Sequence, residues 1–263
     1  MDRAVVLMYH RVGASANAWE RKYCVSPDAF ESHMKKLAAK GMRAVPIDDF
    51  VAWIQSGPEL PDGSFLLTFD DGFLGVYEHA YPVLRDLGWP ATVFLVSGLI
   101  GGKDEWCRRE NPSGATYPLL NRDQIEEMRG RGFSFHSHSR SHADLTCLDD
   151  LELEAELAGS RADLESLLGN PIPFLAYPYG RYDERVLEAA RKAGYSAAFS
   201  VQPGFNRPGR VDPFRIRRLD VFGTDTPSAL ARKVSLGSND GDLKHALGYY
   251  WSRAANRVRS VVR

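Results

Sequence analysis

Residues 65–72 read FLLTFDDG, an apolar run of strand length that leads directly into two aspartates and a glycine. A short apolar run of this kind, bounded by turn-forming residues, is typical of a strand that is buried on both faces. Such strands occur in parallel sheets that helices cover on both sides. Asp70 and Asp71 then lie at the end of a buried strand, where the two carboxylates need a cation or a shared proton, and an Asp-Gly turn with helix-capping aspartates is the alternative.

Six further apolar runs follow the same pattern, each bounded by glycine, proline or aspartate: 4–8, 91–96, 133–137, 174–177, 196–201 and 216–221. Amphipathic stretches separate them, and this alternation predicts an α/β fold with a parallel sheet. The number of units favours an irregular or incomplete (β/α) barrel of about seven parallel strands, with a flat doubly wound sheet as the alternative. In such a barrel the chemistry lies just past the carboxyl ends of the strands.

The composition argues against several other classes of protein. The 263 residues include 33 Lys and Arg and 34 Asp and Glu, and the net charge of -1 disfavours a nucleic-acid binder that works by bulk charge. Hydrophobic residues make up 44% of the chain, which is enough for a large core. Three cysteines without a CxxC pair, Cys24, Cys107 and Cys147, favour reduced thiols over a disulfide framework.

The two ends of the chain bear on its location. The first residues lack an apolar stretch of signal-peptide length, and no uncharged run reaches the roughly 20 residues of a membrane span, so we expect a cytoplasmic protein. We expect a main domain over residues 1–225 and a basic, helical extension over 226–263. The basic residues of the extension past Asp242 are Lys244, Arg253, Arg257, Arg259 and Arg263. This extension is predicted either to contact the inner face of the membrane peripherally or to pack on the barrel as a solvated helix.

A second group of polar side chains follows the predicted strand 133–137. His138 and His142 lie four residues apart, and one turn of helix would place both imidazoles on the same face. Two histidines and one carboxylate from the Asp70-Asp71 pair form a facial site for a divalent metal with open positions. These ligands suit Zn²⁺, and Co²⁺, Ni²⁺ or Fe²⁺ are alternatives.

Three other segments carry weaker signals. The turn at 177–180, which reads YPYG, either points a backbone N–H outward or is simply a tight turn. His10 follows the first predicted strand, where a packed or solvated histidine is the alternative to a catalytic one. The polar insertion 106–120 is expected to border the site.

Taken together, in this order and spacing, the motifs resemble those of the polysaccharide deacetylases, which are carbohydrate esterase family four and share the NodB homology domain. The resemblance rests on residues 68–72 (TFDDG), 138–142 (HSRSH) and 176–180 (AYPYG), and it extends from about Val5 to Val221. It implies a metal-dependent hydrolase that removes acetyl groups from a carbohydrate and takes part in polysaccharide biosynthesis.

The resemblance also implies a role for each matching position. Asp70 corresponds to the general base, and Asp71 corresponds to a metal ligand together with His138 and His142. The backbone N–H of Tyr179 corresponds to a donor that stabilises the oxyanion. The remaining members of that turn are expected to contact the substrate: Tyr177, Pro178 and Gly180.

Besides Ser134, which stands where a glutamate often precedes the histidine motif, two departures from the family pattern affect the assignment. Ala176 stands where an arginine often steadies the base, and no convincing Leu-x-His motif supplies the general acid, since residues 243–245 follow no apolar strand. Both departures resemble the poly-N-acetylglucosamine deacetylase-type subgroup, in which the acid is the histidine after the first strand. His10 is then the acid. Arg218 is our candidate to steady Asp70, with a surface salt bridge as the alternative.

We therefore expect a metal-dependent N-deacetylase that acts on an N-acetylhexosamine in a surface polysaccharide or its lipid-linked precursor. One alternative keeps the chemistry and changes the substrate to a chitooligosaccharide, peptidoglycan or an O-acetyl ester. Another is a non-catalytic, carbohydrate-binding relative. The adjacent carboxylates Asp70 and Asp71 favour catalysis, because a retired site has no physical reason to keep them unpaired.

Overall fold

The computed structural model describes residues 1–241, apart from the side chain of residue 109. Ten strands lie within this range, and three of the shortest, β2 to β4 below, had no counterpart in the sequence-based prediction. In chain order the strands are β1 (Val6–Tyr9), β2 (Arg11–Val12), β3 (Cys24–Val25), β4 (Arg43–Ala44), β5 (Ser64–Phe69), β6 (Ala91–Leu95), β7 (Phe133–Ser137), β8 (Phe174–Ala176), β9 (Ala197–Phe199) and β10 (Leu219–Asp220).

Seven α-helices within the same range connect or follow these strands. They are α1 (Pro27–Ala38), α2 (Ile47–Ile54), α3 (Tyr81–Leu87), α4 (Arg122–Arg129), α5 (Asp150–Leu168), α6 (Glu184–Lys192) and α7 (Pro227–Leu236). Local chemistry sets where they begin. The Ser26 side chain accepts a hydrogen bond from the Ala29 amide at the start of α1. Asp149 and Glu152 form a reciprocal capping box at the start of α5.

The main sheet is parallel throughout and curls into an irregular barrel. Its order is β10-β1-β5-β6-β7-β8-β9, and β4 pairs with the beginning of β5. Ile216 bridges Phe199 of β9, while Leu219 and Asp220 pair with β1. The segment 216–220 therefore contacts both edges of the sheet and nearly closes it. The predicted irregular (β/α) barrel is confirmed, and the alternative of a flat sheet is wrong.

Two cores follow from the alternation of side chains along each strand. Leu67 and Phe69 of β5 belong to the larger core, which lies between the strands and the outer helices. Leu66 of the same strand belongs to the second core, which fills the barrel and includes Phe50 and Trp53 of α2. The Trp53 indole donates to the carbonyl of Met1, just ahead of β1, so α2 closes the amino end of the barrel. The carboxyl end is left to polar side chains.

Part of the predicted C-terminal extension is described. Helix α7 packs Leu230 and Val234 into the outer core beside α1, and Lys233 forms an ion pair with Asp225. The basic residues at 244–263 lie outside the described residues, and the boundary between 225 and 226 stays a prediction. No helix within residues 1–241 is long and apolar enough to cross a bilayer.

Candidate active site

The interior-facing side chains of the barrel become polar at the carboxyl ends of the strands. Beyond Leu66, the same face of β5 leads to Asp70, and the interior face of β7 leads to His138. Arg218 projects from the segment that closes the barrel, and all three polar side chains are buried. Asp70 and His138 line a cavity of about 290 Å³ at this end of the molecule. The fold therefore gathers the residues that the sequence singled out.

Asp70 and Arg218 form a bidentate ion pair. The Nη1 and Nη2 atoms of Arg218 donate to the two carboxylate oxygens of Asp70 at 2.6 and 2.8 Å, and its Nε donates to the Ser200 carbonyl at 2.9 Å. Burial alone raises the pKa of Asp70, but Arg218 and then His138 outweigh it and hold this pKa below its ordinary value. Arg218 is completely buried, which excludes the surface salt bridge that the sequence left open.

Asp71 forms a compact cluster with the two histidines. The three residues each bring one ligand atom within 4.8 Å of the others. Nε2 of His138 and Nε2 of His142 lie 3.4 and 3.3 Å from Oδ1 of Asp71. Nδ1 of His138 hydrogen-bonds the Ala176 carbonyl at 2.8 Å. Because a carbonyl only accepts, the proton is on Nδ1, and the Nε2 lone pair is free to bind a metal in the cluster.

The electrostatics of the cluster favour a bound cation. Burial alone raises the pKa of Asp71, but the adjacent imidazoles of His138 and then His142 outweigh this effect and hold the pKa far below its usual range. For His138 burial lowers the pKa, and the carboxylates of Asp70 and Asp71 outweigh it, so the net shift is upward. For His142 burial prevails and the pKa falls. Asp71 is thus ionised at neutral pH beside two nitrogen ligands.

The donor set also fits a divalent metal chemically. Oδ1 of Asp71 is buried and has no hydrogen-bond partner among the described residues. A buried carboxylate oxygen in that state is unfavourable unless a cation completes it. One carboxylate and two imidazoles are ligands of Zn²⁺ and related divalent ions. Asp71, His138 and His142 are therefore the residues that would hold the ion.

Left-handed backbone conformations concentrate at this site. Within residues 1–241, the non-glycine residues with positive φ are Ser56, away from the site, and four residues at it: Asp71 (72°), Ser139 (63°), His142 (63°) and Tyr179 (57°). Such conformations are energetically costly and persist where the surroundings fix them. The turn of helix predicted for 138–142 is wrong. A loop brings the two imidazoles together, and in it the Ser139 hydroxyl accepts from the His142 amide.

The turn at 177–180 lies beside the cluster. The ring of Tyr179 packs edge-on against His142 with centroids 4.6 Å apart. Tyr177 is buried like Pro178, and its hydroxyl donates to the Phe214 carbonyl at 3.1 Å. A Cβ at Gly180 would lie 2.2 Å from the Val201 side chain, so the turn requires glycine there. The roles of these four residues towards a substrate stay predictions, although Tyr177, Tyr179 and Gly180 line the cavity.

His10 lies just past β1 and lines the same cavity. Its ring packs against Tyr23 with centroids 5.1 Å apart, and its buried Nδ1 has no hydrogen-bond partner in the described part of the chain. The positive charge of a protonated His10 would also lower the pKa of Asp70 and of Asp71, after the larger effects of burial and of the nearer partners. This position suits the predicted general acid, whose role stays a prediction. The other candidate, at 243–245, lies outside the described residues.

Two loops form a large part of the remaining cavity wall. The β1–α1 loop (residues 10–26) contributes Tyr23, and the β6–α4 loop (residues 96–121) contributes Trp106. The Trp106 ring stacks on His142 with centroids 4.5 Å apart and planes 16° apart. The sequence suggested only that residues 106–120 border the site. It missed the individual side chains, because each contacts residues far away along the chain.

Comparisons with known proteins agree with this geometry. Residues 57–198 match the profile of the family described as Polysaccharide deacetylase. The chain is 27% identical over 247 residues to the poly-beta-1,6-N-acetyl-D-glucosamine N-deacetylase of Staphylococcus epidermidis, covering 85% of this chain and 82% of that protein. It is 31% identical over 199 residues to YxkH of Bacillus subtilis, covering 76% of this chain and 64% of that protein, slightly less than two thirds of its length.

Solved structures share the same architecture. IcaB from Ammonifex degensii is 28% identical with a TM-score of 0.73, and the match covers 90% of this chain and 97% of that one. BC0361, a polysaccharide deacetylase from Bacillus cereus, is 26% identical with a TM-score of 0.71, and the match covers 88% of this chain and 69% of that one. The similarity thus extends over most of the chain.

Proposed function

Since this chain belongs to the polysaccharide deacetylase family, we propose that it removes N-acetyl groups from an N-acetylhexosamine in a surface polysaccharide or its lipid-linked precursor. The similarity to a poly-beta-1,6-N-acetyl-D-glucosamine N-deacetylase supports β-1,6-linked N-acetylglucosamine as the substrate class. The proposed reaction depends on a divalent metal, with Zn²⁺ as the first candidate and Co²⁺, Ni²⁺ or Fe²⁺ as alternatives.

The separate environments of two adjacent carboxylates are the observation that carries the proposal. Asp70 is held by both arms of Arg218, whereas Asp71 has a left-handed backbone and lies against His138 and His142. One carboxylate is therefore oriented as a proton acceptor and the other as a ligand. Amide hydrolysis with the help of a metal requires both roles within one site.

Each residue of the site has a separate role in the proposed reaction. A divalent ion, when bound, would lower the pKa of a coordinated water towards about 7 and polarise the acetyl carbonyl. Asp70, kept ionised by Arg218, accepts the proton of the attacking water. The backbone N–H of Tyr179 stabilises the oxyanion. His10 protonates the departing amine, so that the products are acetate and a free amino sugar.

The walls of the cavity support a sugar substrate. Eight of the residues that line it are phenylalanine, tyrosine or tryptophan: Trp19, Tyr23, Phe73, Trp106, Tyr117, Tyr177, Tyr179 and Phe222. Aromatic side chains provide apolar surface with few polar groups, which suits the apolar face of a sugar ring. Chitooligosaccharide and peptidoglycan share that face, so they are the substrates to compare. The cytoplasmic location stays a prediction, as does the membrane contact of residues 244–263.

The test is acetate release from an oligomer of β-1,6-linked N-acetylglucosamine. The purified protein is stripped with a chelator and then resupplied with Zn²⁺ or Co²⁺, with a chitooligosaccharide of equal length as the comparison. We expect acetate only after metal is returned, and more from the β-1,6 oligomer. A protein that binds metal without releasing acetate from either oligomer would contradict the substrate. A protein that neither binds metal nor releases acetate would support the non-catalytic, carbohydrate-binding alternative.

A further inference from the structure

Glu20 joins the two loops that form the substrate-facing walls of the cavity. It lies in the β1–α1 loop and is 4% exposed. Among residues 1–241, its hydrogen-bond partners include neither Asp70 nor the residues of the metal cluster. Its partners across the cavity wall belong to the β6–α4 loop. The two loops otherwise leave the barrel from different strands, β1 and β6.

The carboxylate of Glu20 accepts five hydrogen bonds. Within its own loop, Arg11 Nη2 donates at 2.9 Å, the Ala16 amide at 2.7 Å and Asn17 Nδ2 at 3.3 Å. From the β6–α4 loop, Asn111 Nδ2 donates at 2.9 Å and the Tyr117 hydroxyl at 2.8 Å. Both oxygens are therefore saturated by donors, and the carboxylate is the common point of the two loops.

Two further contacts run between the same loops. The guanidinium of Arg11 lies over the ring of Tyr117, 3.5 Å from its centroid. The Asn17 Nδ2 donates to Asn111 Oδ1 at 3.0 Å. Burial alone raises the pKa of Glu20, but the hydrogen bonds from Ala16, Asn111 and Tyr117 outweigh it, and the carboxylate stays ionised at neutral pH.

We infer that Glu20 is a positioning residue that fixes the aromatic walls of the sugar site. This inference rests on the proposed function and deepens it. The walls contain Trp19 and Tyr23 from one loop and Trp106 and Tyr117 from the other. The base Asp70 and its partner Arg218 project from the barrel instead, and the connection between the loops reaches the reacting groups through His10 and through Trp106, which stacks on His142. Loss of the connection therefore weakens binding of the sugar more than it slows the chemical step.

Glu20→Gln is the variant that isolates this effect. It keeps the size of the side chain but replaces one accepting oxygen with a donating amide, which then faces the donors that surround Glu20. Tyr117→Phe removes only the hydroxyl that reaches Glu20 and keeps the ring beside Arg11. Glu127 and Tyr77 form a matched pair on the surface, where the tyrosine hydroxyl also donates at 2.8 Å. Glu127→Gln and Tyr77→Phe are the controls.

Binding of a β-1,6-linked N-acetylglucosamine oligomer is measured by tryptophan fluorescence, since Trp19 and Trp106 line the cavity. Steady-state acetate release and urea unfolding are measured on the same proteins. For Glu20→Gln we expect Kd and KM to rise about tenfold while kcat changes less than about twofold. Tyr117→Phe should also raise Kd and KM. In the double variant, the increase in Kd should be smaller than the product of the two single increases, because both substitutions break the same connection. The control variants should bind like the wild type.

The outcomes separate this inference from the proposed function. Unchanged Kd and KM in Glu20→Gln would overturn the inference, as would a fall in kcat with KM unchanged. If the wild type binds the oligomer more tightly than Glu20→Gln but releases no acetate, the positioning role would be supported and the proposed deacetylase activity contradicted. A wild-type protein that does not bind the oligomer at all would overturn both.

Discussion

His136 and His138 lie two residues apart at the end of β7 and face the same barrel interior, but their pKa values shift in opposite directions. His138 lies beside Asp70 and Asp71, whose charges outweigh burial and raise its pKa. His136 packs edge-on against Phe174 with ring centroids 4.7 Å apart, and burial lowers its pKa to about 3. Neither ring nitrogen of His136 has a hydrogen-bond partner among residues 1–241.

The contrast shows that position along the barrel axis determines what an interior side chain does. Towards the amino end, α2 fills the interior with apolar side chains such as Phe50 and Trp53. At the carboxyl end, the strands and loops supply charged and hydrogen-bonding partners. Barrels of this class commonly place stability at one end and chemistry at the other.

The largest effect on stability is expected when Asp70, at the carboxyl end of the barrel, loses its ion-pair partner Arg218. Arg218→Met leaves the carboxylate of Asp70 buried and unpaired, and we expect the free energy of unfolding to fall by about 3–5 kcal/mol. Urea unfolding at neutral pH measures this loss. Arg129→Met is the matched control, because Arg129 is partly exposed and pairs with Glu126 on its own helix. Its loss should stay below about 1 kcal/mol. A similar small loss in both variants would contradict the contrast.

A smaller effect is expected at His136, and it depends on pH. The folded pKa of about 3 lies below the ordinary value, so the unfolded chain binds the proton first as pH falls. His136 therefore destabilises the fold progressively below about pH 6.5, by about 2 kcal/mol between pH 7 and pH 5. His136→Leu removes this dependence. Urea unfolding at both pH values should show that the free energy of unfolding falls less for the variant than for the wild type between pH 7 and pH 5. An equal fall in both proteins would contradict the assigned environment.

Much of the fold could be predicted because short apolar runs alternate with amphipathic stretches. All seven predicted strands are present in the sheet. The two-residue strands β2, β3 and β4 are too short to show a period in the sequence. Helix α2 was also not predicted, although its buried residues Ile47, Phe50, Val51 and Ile54 follow the helical spacing i, i+3, i+4 and i+7. It is nevertheless the element that closes the barrel.

The site was only partly predictable, and the reason is geometric. Sequence spacing indicated that His138 and His142 act together, but the left-handed conformations of Ser139 and His142 that bring them together leave no mark in the residue types. The partnership of Glu20 with Asn111 joins residues 91 positions apart. Contacts of that kind depend on the closed barrel, so local patterns do not predict them.

The central claim is that the adjacent carboxylates of Asp70 and Asp71 have different roles, and one paired measurement tests it directly. Metal content per chain and acetate release are determined for Asp70→Asn and Asp71→Asn. For Asp70→Asn we predict that one ion per chain is retained while turnover falls by about 10²–10⁴-fold. For Asp71→Asn we predict that both metal and turnover are lost. Near-normal turnover in Asp70→Asn, or a tightly held ion in Asp71→Asn, would contradict the account.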